Sequence, residues 1–332
     1  MERHEQHLST ENFKNFRELQ LGIFLGIGTD SVVYEARDLE NNTYAIKRPR
    51  NAKKQRFIEN EANLLRYLNS HDSEENQAIV KIQGTCVIDG LKSLVLERNQ
   101  CSLRQRLKQT SFSVQETRSI ASRLISGFEF LKERGVVHGD IRPDNILINT
   151  REMVQIADFG GAFQKGVKRR VQIRECRVYL SPERILDEGA CDFPSDLWSL
   201  AAVLTEVAAQ KLLFPFFKSK EATEESREDA LSPFIASHEI RMGLSYPESI
   251  LSKSTAKSLN TYHQSQKLKN RKQFQAIKPL EETISPPFLE INVGKEEELQ
   301  TFISMLRKML DFDPERRIAI SSLLEEDFFI KA

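Results

Sequence analysis

Between residues 19 and 47, apolar and polar positions fall in short alternating runs, LQLGIFLGIG, SVVYEARD and NTYAIKR. Such runs bury one face of a strand and leave the other wet. Asn41-Asn42, between the second and third runs, is a turn signal, so the pattern predicts a meander of antiparallel strands. Over residues 53–69 the period changes, and Phe57, Ile58, Leu64, Leu65 and Leu68 recur at helical spacing. VKIQGTCVI and KSLVLE then return to the strand pattern. After Asn99 helical patterns dominate, at 114–134, 195–209 and 299–312, with a short apolar stretch, MVQIADFG, among them. LWSLAAVLTEVAA is too short to span a bilayer and reads as a buried helix. Residues 216–292 are richer in Ser, Lys and Glu and carry Pro233, Pro247, Pro279, Pro286 and Pro287, which predicts an insert-like region of short helices and mobile loops. The expected class is α+β: an N-terminal extension at 1–18, a small β-rich lobe at 19–98 and a larger α-helical lobe at 99–332. A cleft between two such lobes is a natural place for a ligand.

Composition narrows this little. The 332 residues hold 48 Lys plus Arg against 48 Asp plus Glu, so zero formal charge gives no argument for nucleic acid or an anionic membrane. Two local basic runs, Lys168-Arg169-Arg170 and KLKNRK at 267–272, read first as solvated faces. Cys86, Cys101, Cys176 and Cys191 have no CxxC spacing, which implies reduced thiols rather than a zinc site or disulfide framework. The polar start MERHEQHLSTENFKNF has no apolar core of a secretory signal, and the expected location is cytoplasmic and/or nuclear. No membrane association is expected.

The chemistry concentrates in VVHGDIRPDNILI, residues 136–148, where a charged loop stands between apolar walls. A polar loop on a rigid apolar frame is how a catalytic site is usually built. Asp140 can accept a proton from a hydroxyl, Arg142 can lie against a phosphate, and Asn145 and the later Asp158 offer hard oxygens to Mg²⁺. Upstream, Gly26 and Gly28 in LGIGTDSVV would let backbone amides approach phosphate oxygens, although a glycine-bearing hairpin alone is weak evidence. Lys47 in AIK would ordinarily face solvent. Here a carboxylate of the following helix can hold it; Glu61 is preferred over its rival Glu59 because Leu65, one turn on, keeps that face inward.

The ordered set GIGTDSVV, YAIK, Glu61, HGDIRPDN, DFG, SPE, SDLWSL and DPERR resembles the eukaryotic-type protein kinases over about residues 20–330. The resemblance implies the bilobal kinase fold, with ATP and Mg²⁺ as cofactors and a protein hydroxyl, Ser/Thr before Tyr, as acceptor. It implies that Lys47 contacts the α and β phosphates and pairs with Glu61, that Asp140 is the base, and that Asn145 and Asp158 hold the metal. It places Leu96 as gatekeeper, the backbone of Glu97 and Asn99 against adenine, and Val33, Ala45 and Leu147 around the ring. Glu183 paired with Arg317, and Asp196, would be structural supports. LLFPFF, YPESILSKS and the long following region resemble the CMGC branch. Ser31, HGD, DFGGAF and FPSDLWSLA resemble its SR-protein-kinase-like members, which implies an arginine-serine rich protein substrate.

The chain also departs from the pattern. Gly139 replaces the arginine that usually precedes the catalytic aspartate and needs a loop phosphate to neutralise it. Between Gly160 and Leu180 there is no Ser or Thr, and Tyr179 is the one hydroxyl. Both facts predict a kinase that does not wait for Ser/Thr phosphorylation of its own loop. That loop carries Lys165, Lys168, Arg169, Arg170, Arg174 and Arg177. Arg142 stands for the usual lysine and Cys176 near the usual threonine. Asp30 puts a carboxylate at the tip of the glycine loop. Arg142, Cys176, Asp30 and Ser31 support an alternative, a pseudokinase scaffold that binds nucleotide or partners without catalysis. A small-molecule phosphotransferase is a third reading, opposed by SPE, DLWS and DPERR.

Overall fold

The computed structural model describes residues 14–16, 18–71, 78–166, 177–186, 191–214, 231–270 and 272–331. Lys168, Arg169, Arg170, Arg174 and Cys176 lie outside the described residues, as does the side chain of Arg177. The chain forms two compact units. One holds the residues up to Ser102 together with Asn145–Ala162; the other holds Leu103–Asp144 and the residues from Phe163 onward.

The first unit is built on a six-stranded sheet of β1 (Lys14–Asn15), β2 (Gln20–Ile27), β3 (Ser31–Arg37), β4 (Thr43–Pro49), β5 (Ile82–Ile88) and β6 (Leu91–Glu97). Their order is β1-β5-β6-β4-β3-β2, antiparallel except for the β1–β5 pair. The β3–β4 turn is made by Asn41 in the left-handed region (φ 64°) and by Asp38, whose Oδ1 accepts the N–H of Glu40 and Asn42 at 3.0 and 2.9 Å. Asp89 and Gly90, both at positive φ, close the β5–β6 hairpin, a pairing that suits a two-residue turn. Ala36, Ile46, Cys86 and Val95 form a core on the sheet, covered by Phe16, Leu19, Tyr44 and Ile88. Helix α1 (Gln55–His71) buries Phe57, Ile58, Ala62, Leu64, Leu65 and Leu68, each contributing roughly 1.5–3 kcal/mol for a large side chain. A second sheet joins Cys101–Ser102, Ile146–Ile148 and Val154–Ile156.

The second unit is helical. The Val114–Glu133 helix opens on a capping box in which Ser113 Oγ accepts from the Glu116 N–H and Glu116 accepts from the Ser113 N–H. The Phe193–Ala209 helix is buried on all sides from Ser195 to Ala209, which is why it reads as apolar all round. Asp192 caps its start, and Trp198 stacks on Phe214 at 5.6 Å. The Glu296–Met309 helix buries Leu299, Phe302, Ile303, Met305, Leu306 and Met309. The region at 216–292 is more integral than its composition implies. Its described part forms the Ser232–Met242, Ala256–Leu268 and Leu280–Ile291 helices and buries Phe234, Phe274, Ile284 and Phe288. Pro286 and Pro287 lie inside the last of these helices rather than in a loop, and burial of Ile284 and Phe288 offsets their cost of about 3 kcal/mol each. Lys269 of the KLKNRK run is no solvated residue either, since it pairs with the buried Glu239 at 2.5 Å. No described helix is long and apolar enough to cross a membrane.

Candidate active site

In the first unit, β4 carries Lys47 and α1 carries Glu61. Lys47 Nζ lies 2.6 Å from Glu61 Oε2 and 2.6 Å from Asp158 Oδ1. Glu61 is buried, whereas its rival Glu59 is exposed. Burial alone would lower the Lys47 pKa, but the carboxylates of Asp158 and then Glu61 outweigh it and raise the pKa, so the ammonium is retained. Glu61 Oε1 also accepts the N–H of Phe159 at 3.2 Å, and Asn60 Nδ2 donates to the Ala162 carbonyl at 3.0 Å. Helix α1 thus fixes the DFG segment through two neighbouring polar residues. Asp158 sits in the left-handed region (φ 65°), a strained conformation for a residue with a Cβ, of the kind that marks functional sites.

The other nucleotide-side positions belong to the same unit. In register, Val33 opposes Lys47, Ala45 opposes Leu96, and Leu147 opposes Ser102. Val33, Ala45 and Leu147 are half-buried and Leu96 is buried. Glu97 accepts from the Lys81 N–H at 2.7 Å and from Gln155 Nε2 at 2.8 Å, which braces the segment after β6. Asn99 is buried, and neither atom of its side-chain amide has a hydrogen-bond partner among the described residues. A Cβ on Gly26 would meet no atom of the described residues within 4 Å. Asp30 is not a bare carboxylate facing phosphates, because Lys54 Nζ lies 2.8 Å from it. Asn145 and Asp158 present a carboxamide and a half-exposed carboxylate, a donor set that fits a hard cation such as Mg²⁺.

In the second unit, the catalytic loop is held by its backbone. Asp196, buried in the Phe193–Ala209 helix, accepts the N–H of His138 and of Gly139, both at 2.8 Å. Gly139 has φ 76°, and Arg184 donates to its carbonyl at 2.7 Å. Asp140 is exposed, between the buried Gly139 and Ile141. Arg142 reaches Asp144 at 3.9 Å. Glu183 and Arg317 form a two-pronged ion pair at 2.9 Å for each prong, with Ser195 Oγ donating to Glu183. Sequence reasoning missed Arg184 and also Arg104, whose Nε donates to Asp144 at 3.3 Å and whose other nitrogens donate to Glu206 and the Tyr179 hydroxyl. These partners come from three separate segments, so no local spacing announces them.

A sheet-built unit carrying a lysine–glutamate–aspartate set and a helical unit carrying an aspartate-bearing loop define a phosphotransferase of the bilobal kinase kind. Residues 19–329 match the family model described as Protein kinase domain, and the chain belongs to that family. It is similar to Cell division control protein 2 homolog 1 of Trypanosoma brucei brucei, 26% identical over 310 residues, covering 92% of this chain and 95% of the relative. It is similar to Serine/threonine-protein kinase prp4 of Schizosaccharomyces pombe, 27% identical over 319 residues, covering 92% of this chain and 65% of the relative. Similarity to Cyclin-dependent kinase G1 of Arabidopsis thaliana is 29% over 198 residues, covering 57% of this chain and 32% of that protein. The chain thus spans nearly all of the first relative, but about a third of the last.

Proposed function

We propose that this chain is an active protein kinase that transfers the γ-phosphate of Mg-ATP to a Ser or Thr hydroxyl, without Ser/Thr phosphorylation of its own activation loop. The intact set of Lys47 held between Glu61 and Asp158 carries the reading, because a scaffold has no need to keep a buried ammonium between two carboxylates. Serine/threonine specificity draws support from the names of the relatives. Independence from loop phosphorylation draws support from Gly139, whose backbone is held by Asp196 and Arg184 where a phosphate-dependent arginine would otherwise stand. An arginine-serine rich substrate is the finer reading that the resemblance of HGD, DFGGAF and FPSDLWSLA implies.

Two sets of residues share the chemistry. Lys47 orients the α and β phosphates, and Glu61 fixes Lys47. Gly26 and Gly28 leave room for the triphosphate, while Val33, Ala45, Leu96 and Leu147 with the backbone of Glu97 and Asn99 receive adenine. Asn145 and Asp158 would hold Mg²⁺, which when bound neutralises phosphate charge. Asp140 accepts the hydroxyl proton and Arg142 faces the transferred phosphate. Labelled phosphate transfer to a Ser, Thr and Tyr peptide array, with Asp140→Asn as control, tests this. The expected result is transfer to Ser and Thr peptides, lowered on the order of 10²–10⁴-fold in the mutant. Wild-type protein that binds ATP yet labels nothing would leave the scaffold reading.

A further inference from the structure

Arg104 occupies an acidic recess beside the catalytic loop, and nothing in the family pattern read from the sequence gave it a task. Its guanidinium is shared among three partners of the same unit: Asp144 at 3.3 Å, Glu206, and the hydroxyl of Tyr179. Tyr179 in turn donates to Glu206 at 2.6 Å. The cluster is partly open to solvent, with the Asp144 side chain 39% exposed, Arg104 23% and Glu206 10%. Burial alone would lower the Arg104 pKa, but Tyr179 and Glu206 outweigh it, so the cation is permanent.

Its place gives the cluster meaning. Asp144 follows the exposed Asp140 by four residues in one loop, a chain length of at most about 14 Å. An extended peptide covers that span in roughly two to four residues. Tyr179 lies just ahead of Ser181-Pro182-Glu183, the segment anchored by Glu183 and Arg317. Two carboxylates and a phenol at such a distance would take a guanidinium from a substrate, since Arg fits paired oxygens in fork geometry. Here a guanidinium of the chain itself already sits there. A tethered group competes at an effective concentration on the order of millimolar or higher, against a peptide present at far less.

We infer that Arg104 is a specificity-determining residue: it fills the Asp144–Glu206–Tyr179 recess and denies it to an arginine two to four residues from the acceptor. The inference rests on the protein-kinase reading and restricts it. An arginine-serine rich substrate, on this view, is not recognised through Asp144 and Glu206.

The test uses paired peptides with one acceptor serine and either arginine or alanine at each position within four residues of it. For wild type, the ratio of KM values between partners stays within about two-fold. Arg104→Ala should lower KM for the arginine peptide at one or two positions by about 10-fold relative to its alanine partner, a step of about 1.4 kcal/mol. Arg104→Lys, which keeps the cation, should return the ratio towards wild type. Adding Asp144→Asn to Arg104→Ala should abolish the gain. A merely structural Arg104 would change kcat or stability for both peptides alike, and an unchanged KM ratio in a folded Arg104→Ala protein overturns the inference. So does wild type that already selects arginine at these positions with no further gain on mutation. Fluorescence anisotropy of the same labelled peptides reads the preference without turnover. Absence of phosphate transfer therefore counts against the kinase reading alone, and an unchanged binding ratio against Arg104.

Discussion

Exchange of Lys47 for methionine would leave Glu61 and Asp158 around a position from which the ammonium, now 2.6 Å from each, has gone. Phosphate transfer should fall on the order of 10²–10³-fold, the scale of removing one preorganised donor, and a labelled-ATP assay checks it. Glu183 and Arg317 predict an effect on stability instead. Burial raises the Glu183 pKa, but Arg317 beside it outweighs burial and holds the carboxyl below its ordinary value. Its contribution is therefore full above the unfolded value of about 4.3 and is lost as pH falls through the lower folded value. Arg317→Met should destabilise by roughly 3–5 kcal/mol at neutral pH, because it strands a buried carboxylate, and should flatten the acid limb of the melting curve. The pairing of Lys47 with Glu61 was legible at this scale, since Lys47 stands in an ordered motif and Leu65 marks the inward face of the helix. Lys54 beside Asp30 was not, because an ion pair across a loop leaves no periodic trace.

Among the elements, the amphipathic pattern located the helices well because burial and period are the same fact seen twice. The preference for Glu61 over Glu59 followed from the face that Leu65 defines, and α1 turns Glu61 inward and Glu59 outward. Two elements resisted. Pro286 and Pro287 read as breakers because local cost is visible in sequence, while the compensating burial of Ile284 and Phe288 is tertiary. The Ser232–Met242 helix hides His238, wholly buried, with Nδ1 2.8 Å from the Tyr246 hydroxyl. Burial pushes its pKa down to about 3. The unfolded chain, with a value of about 6.5, then binds more protons than the folded one between those limits, so stability falls as pH drops below about 6.5. His238→Phe should lessen the decline of Tm between pH 6.5 and 5, measured by calorimetry against wild type. Loss of the capping box in Ser113→Ala should lower stability by about 1 kcal/mol, read from denaturant midpoints at constant slope.

For the whole molecule, the return of Asn145–Ala162 to the sheet-built unit could not be drawn from element patterns. Those residues follow a long helical stretch, and their membership is decided by pairing of Ile146–Ile148 with Cys101–Ser102, by the hold of α1 on Phe159 and Ala162, and by that of Lys47 on Asp158. Local pattern says what an element is; partners distant in sequence say where it belongs. One backbone feature reaches furthest. Gly139 has its N–H on Asp196 and its carbonyl on Arg184, and at φ 76° its conformation is strained for any other residue. On the proposed reading, a loop set by the fold in this way needs no maturation before it works. Phosphate release into substrate should rise linearly from the first seconds after mixing, in proportion to enzyme and with no lag that shortens as enzyme is raised. Prior phosphatase treatment should leave the slope unchanged. If the proposal holds, such a protein would be governed in a cell by how much of it is made and what it meets, rather than by a second enzyme that turns it on.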